Sequence, residues 1–168
     1  ALEELMRRHK EGLFRFILRF VNQREEAADL LSETFIKAYQ KRQQYRPKAQ
    51  FQTWLYTIAR NLCVDHLRRR KNQPVQVEDE EFQRIAQSID GTNPAEEAVT
   101  AEEVGQLQAA IAKLPENLRS ALILYALEGK SQAETGAILG CSEKAVETRV
   151  RRAKQQLRKE LGGLQGSD

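Results

Sequence analysis

The chain has 168 residues, with 27 Lys and Arg against 24 Asp and Glu, for a net charge of +3. An apolar share of 40% beside 30% charge supports packed cores and excludes wholesale disorder. Only 9 Gly and 4 Pro argue against a turn-rich β-sandwich, and the longest apolar run, 121–127, is too short to cross a bilayer.

Apolar residues then recur at helical spacing almost throughout. Leu2, Leu5, Met6, Leu13, Phe14, Ile17 and Val21 form a first stripe. Asn22, three residues before Glu25, reads as a capping box opening a second helix. That helix carries Ala28, Leu31, Phe35, Ala38 and Tyr39 on its inner face. Pro47 breaks the pattern. Thr53 is placed to cap a third helix, with Trp54, Leu55, Ile58, Ala59 and Leu62 inward and the basic run Arg68-Arg69-Arg70-Lys71 at its end.

Composition shifts at this point. Residues 1–72 hold 16 basic and 8 acidic side chains, residues 73–104 hold 1 and 9, and residues 105–168 hold 10 and 7. The middle stretch repels itself and buries little, as a flexible linker does. An acidic tether between two basic modules suggests that both modules bind a polyanion. Beyond it, Val104, Leu107, Ile111 and Leu114 form a stripe stopped by Pro115. Leu118, Leu122, Leu124 (or Ile123) and Leu127 form the next, ended by Gly129. No stretch has strand periodicity. The expected fold is all-α: two small helical bundles, 1–72 and 105–168, joined by the acidic linker 73–104, part of which after Pro94 can be helical.

Residues 131–153 have the form of a helix-turn-helix. Ser131 and Glu134 make a capping box, Gly140 ends the short helix in a left-handed turn, and Ser142 caps the last helix. Gly136 lets the two helices approach, and Leu139 and Val146 fill the space between them. The last helix would then expose Glu143, Lys144, Glu147, Thr148, Arg149, Arg151 and Arg152 to a major groove. The first module offers a different surface. Phe51, Trp54 and Tyr56 lie among Arg46, Lys48, Arg60 and the Arg68–Lys71 run, which suits unpaired nucleic acid. Trp54 taken alone fits a core position equally well.

Three stretches of the first module, 29–35, 51–61 and 65–70, resemble the first domain of extracytoplasmic-function (ECF) sigma factors of bacterial RNA polymerase. The stretches 114–119, 128–131 and 146–153 are similar to their promoter-reading second domain. The resemblance implies that Asp29, Ser32, Glu33, Phe35, Ile36 and Lys37 meet the clamp coiled coil of the polymerase core. It implies that Arg46, Lys48, Gln50, Phe51, Trp54, Tyr56, Arg60, Asn61, Asp65, Arg68 and Arg69 recognise and melt the −10 element. A base extruded there needs a fitted pocket, because unstacking costs a few kcal/mol. Ser142, Glu143, Lys144, Glu147, Thr148, Arg149, Arg151 and Arg152 would read the −35 duplex, with the second domain near the polymerase flap. Control by an anti-sigma factor is also implied. Ser32, Thr135, Gly136 and Glu147 depart from the residues expected at their places.

The 32 residues 73–104 extend to about 105 Å at roughly 3.3 Å each, and relax to near 30 Å. Promoter elements two helical turns apart lie roughly 70 Å distant. The linker therefore spans them only when something holds the modules apart. Its charge suggests that, in the free protein, it lies on the basic DNA-facing surfaces and weakens binding, so that neutralising Glu78–Glu81 should raise affinity for promoter DNA at low salt.

Rival readings are a helix-turn-helix regulator acting without polymerase, a nucleic-acid enzyme, and an adaptor that binds only protein. His9 and His66 join no nucleophile, and no carboxylate pair has metal-site spacing outside the tether, so no enzyme, cofactor or metal is expected. Cys63 and Cys141 stand alone, which fits a reduced, cytoplasmic protein. No secretion signal or membrane insertion is expected, and the opening at Ala1 suggests a trimmed or processed end.

Overall fold

A computed structural model describes residues 2–45, 50–71 and 100–165. Three helices form the first bundle: α1 (Leu2–Val21), α2 (Arg24–Gln40) and α3 (Phe51–Lys71), with a 3-10 turn at Arg42–Gln44. The second bundle holds α4 (Thr100–Ala112), α5 (Glu116–Ala121), a π-helical segment (Leu122–Leu127), α6 (Gln132–Leu139) and α7 (Glu143–Gln165). Among the described residues there is no strand. The fold class read from the sequence therefore stands. Helix α4 begins inside the span read as linker, while the run at Glu78–Glu81 lies outside the described residues.

Each element has a local cause. Asn22 adopts φ 58° and its N–H donates to the Leu18 carbonyl (2.7 Å). It closes α1 as a left-handed residue, which Asn tolerates. It is not the cap of α2, whose preceding residue is Gln23 with no side-chain cap bond. Thr53 likewise lies inside α3, where its carbonyl accepts from the Thr57 hydroxyl (2.7 Å). Ser131 does cap α6: its Oγ accepts from the Glu134 N–H (3.0 Å) and donates to the Glu134 carboxylate (3.2 Å). Ser142 caps α7 by accepting from the Ala145 N–H (3.1 Å). Gly140 has φ 68°, and a Cβ on Gly136 would stand 2.6 Å from the Cys141 carbonyl oxygen. Both glycines are thus fixed by the turn they make.

The first core gathers Leu13, Phe16, Ile17 and Phe20 of α1, Leu30, Leu31 and Thr34 of α2, and Leu55, Ile58, Ala59 and Leu62 of α3. Each buried large side chain contributes roughly 1.5–3 kcal/mol. Tyr39, expected inward, is 54% exposed, because Ala27, Leu30 and Thr34 set the inner stripe of α2 one position earlier. In the second core Val104 and Leu127 are exposed, against expectation. The π turn explains Leu127. Its wider spacing lets the consecutive residues Leu122, Ile123 and Leu124 all be buried and rotates Leu127 outward.

The two bundles pack on one another. The buried cluster runs without a break from Leu13 to Leu157. Arg119 ties the seam: its guanidinium donates to the carbonyls of Ala112 and Leu114 (2.8 Å for the second) and to that of Phe20 on α1 (3.0 Å). Burial holds the Arg119 guanidinium below its ordinary pKa, and Glu116 opposes the shift.

Candidate nucleic-acid interface

On α2, Asp29, Ser32, Glu33 and Ile36 recur at i, i+3, i+4, i+7 and are all exposed, so they form one outward strip. Ile36 is 58% exposed, and Tyr39 continues the strip beneath the Arg42 guanidinium (4.1 Å). Phe35 and Lys37 are half-buried beside it. The sequence reading put Tyr39 on the inner face instead. Its spacing from Ile36 was the available signal.

On α3, Asn61, Asp65, Arg68 and Arg69 are exposed along one face. At the start of the helix Phe51 and Trp54 are half-buried and packed together (5.7 Å between ring centres). Tyr45, a residue the sequence reading passed over, meets Phe51 edge to face (5.7 Å between ring centres) and packs at a tilt on Trp54 (5.2 Å). His9 of α1 closes the far side at 6.0 Å from Phe51. Gln50 is exposed beside this group, and Arg46 and Lys48 lie outside the described residues. An aromatic wall next to a cationic helix face suits stacked, unpaired bases.

Two candidates lie at the seam instead. Tyr56 is 2% exposed. Burial, then the neighbouring Glu128, pushes its hydroxyl up to about 12 in pKa, with Arg15 opposing. A Cβ on Gly12 would stand 2.8 Å from that hydroxyl, so α1 carries a glycine where the phenol docks. Arg60 is half-buried, and its Nε has no hydrogen-bond partner. Burial lowers its pKa, Glu116 opposes, and Arg149 and Arg68 lower it further.

On α7, Glu143, Lys144, Glu147, Arg151 and Arg152 are exposed, and Thr148 and Arg149 are half-buried. Thr148 returns its hydroxyl to the Lys144 carbonyl (3.1 Å). Val146, Val150, Ala153 and Leu157 anchor the opposite face. A helix held this way presents charge along one side, as a groove-reading helix must. Among the described residues no group of His, Cys, Asp and Glu could hold a metal ion, and no helix is long and apolar enough to cross a membrane.

Two family models match in the order of the two bundles: Sigma-70 region 2 over residues 5–73 and Sigma-70, region 4 over residues 105–157. The RNA polymerase sigma-H factor of Pseudomonas aeruginosa is 33% identical over 98% of this chain and 88% of its own length. The ECF RNA polymerase sigma factor SigW of Bacillus subtilis is 31% identical over 98% of this chain and 90% of its own length. The chain belongs to the ECF sigma factors. The chain spans 60% of another relative, the ECF sigma factor SigE of Mycolicibacterium smegmatis, at 35% identity. Two solved structures share the fold at a TM-score of 0.69. One is the sigma factor RpoE with the anti-sigma factor NepR from Bartonella quintana (22% identical, 95% of each chain). The other is CnrH with the cytosolic domain of CnrY (26% identical, 97% and 88%).

Proposed function

We propose that this ECF sigma factor binds RNA polymerase core and directs initiation at promoters that carry separate −10 and −35 elements. The observation that carries the reading is that three solvent-facing surfaces fall on three different helices, in the order of the two matched regions. The α2 strip Asp29, Ser32, Glu33 and Ile36, flanked by Phe35 and Lys37, takes the polymerase clamp. Its mix of carboxylates and an exposed apolar centre fits a protein partner better than a polyanion. The Phe51–Trp54 wall and the α3 face, with Arg46, Lys48 and Gln50 before it, take the −10 strand as it unpairs. The α7 face takes the −35 duplex, with Arg151 and Arg152 placed for phosphates or guanines and Glu143 and Glu147 able to accept from cytosine. The units doing this are residues 1–72 and 105–168, with 73–104 between them.

An anti-sigma factor is the proposed controlling partner, supported by the sigma factor RpoE of the same fold, which is held by the anti-sigma factor NepR. The protein works in the cytoplasm and catalyses no reaction of its own.

The test is initiation mapping. Bacterial core polymerase, this chain and a genomic promoter library are combined, and transcript starts are mapped. Discrete starts that share two spaced upstream elements support the reading. Starts identical to those of core alone refute it.

A further inference from the structure

We propose that the hairpin Glu128-Gly129-Lys130 is an intramolecular clasp that shuts the second bundle over the first and keeps part of the −10 surface covered. The proposal rests on the −10 reading proposed above for α3, and takes Tyr56 and Arg60 as part of that surface as the family resemblance implies.

The π segment builds the hairpin. Its wider turn brings the Glu128 N–H to the Ile123 carbonyl (2.8 Å) and the Lys130 N–H to the Leu124 carbonyl (3.0 Å). Gly129 at φ 72° reverses the chain between them, so both side chains face the first bundle. The Glu128 side chain is only 5% exposed. Its carboxylate accepts from Arg19 (2.7 Å) and Arg15 (3.4 Å), both on α1. A carboxylate this far from water needs charged partners, and the ion pairs found for it come from the other bundle. Beside it, the Lys130 ammonium sits 4.2 Å from the centre of the Tyr56 ring and is itself buried. A cation over a tyrosine face in a dry setting is an attractive pair. Glu128 and Lys130 thus satisfy their charges by closing the seam, and Arg68–Glu116 (3.2 Å) and the Thr57 hydroxyl on the Ile138 carbonyl (3.3 Å) extend it.

Closure conflicts with reading a promoter. Thr57 on the helix assigned to the −10 element reaches Ile138 of the helix-turn-helix (3.3 Å), yet the two modules are assigned to elements roughly 70 Å apart. Lys130 covers one face of the Tyr56 ring, while α1 packs on the rest through Phe16 and Gly12, and Glu116 holds Arg68 of the −10 face (3.2 Å). The clasp must open before both elements can be held. Because it is ionic, with Arg15 and Arg19 at the solvent edge, salt competes with it.

The test uses the full chain without polymerase. Small-angle scattering gives the radius of gyration of the wild type, of E128K, of R15E/R19E and of the combined E128K/R15E/R19E. Expected is expansion in E128K and in R15E/R19E and recovery of the compact radius in the combination, since the charges are then exchanged. Circular dichroism confirms retained helix, so expansion by unfolding is told apart from opening. An unchanged radius in E128K and R15E/R19E overturns the clasp. A second arm measures binding to a single-stranded −10 oligonucleotide by E128Q, with E25Q as a control of equal charge change on exposed α2. A several-fold gain in E128Q alone is expected. Expansion with no gain leaves the clasp standing and removes Tyr56 from the −10 surface.

Discussion

The Arg119 guanidinium, carried by the second bundle, donates to the backbone carbonyl of Phe20 in the first, 3.0 Å away. The same group also caps the end of α4 through Ala112 and Leu114. Replacing it with alanine leaves three carbonyls without their donor. R119A is expected to destabilise the chain by about 2–4 kcal/mol. Urea denaturation checks this. A change below about 0.5 kcal/mol, the ordinary surface range, would show that water replaces the guanidinium without loss.

Gly136 has no room for a side chain. The Cys141 carbonyl oxygen lies 2.6 Å from where a Cβ would be. G136A should force α6 away from α7 and destabilise by roughly 1–3 kcal/mol. Duplex binding should weaken with it, because the turn aims α7. The paired measurements are a denaturation midpoint and a −35 duplex titration. Normal binding with a lowered midpoint would show that α7 keeps its direction on its own anchors.

Ser131 and Ser142 each satisfy a backbone N–H at a helix start. S131A and S142A should each lose about 1 kcal/mol of stability. Only S142A should also alter −35 binding, since Ser142 stands on the proposed DNA face. Equal binding by both variants would confine Ser142 to capping.

His9 packs against Phe51 at the rim of the aromatic wall, and burial, then Lys130 and Arg8, lower its pKa below 6.5. The unfolded chain therefore takes up this proton before the folded one does. Stability from His9 is whole above pH 6.5 and is lost as pH falls through its lower folded value. Denaturation midpoints taken from pH 7.5 down to 5 should fall less steeply in H9Q than in the wild type. Parallel slopes would mean that other groups carry the acid response.

What the sequence revealed was what neighbouring residues decide. Ser131, Gly136 and Gly140 lie within ten residues of one another, and their turn was readable from spacing alone. The α2 strip and the α3 face were named through the family resemblance, whereas periodicity by itself set Tyr39 inward, where it is exposed. The reading failed where two elements share a decision. Asn22 could cap forward or terminate backward, and a left-handed turn won. Leu127 followed the period of an α-helix, but a π turn intervenes. Tyr56 lies on the −10 stretch by sequence, yet Lys130, 74 positions later, covers one face of its ring. Arg119, Glu128 and Lys130 carry no local motif for their roles, since their partners come from the other bundle.

Permanganate footprinting of promoter DNA tests the central claim most directly, because it detects unpaired thymines. With core polymerase and this chain together, reactive thymines are expected at the −10 element, and neither component alone should produce them. W54A should abolish that reactivity while leaving protection of the −35 duplex in place. Protection of duplex DNA by the chain alone, with no unpaired thymines when core is added, would contradict the account and leave a regulator that binds without initiating.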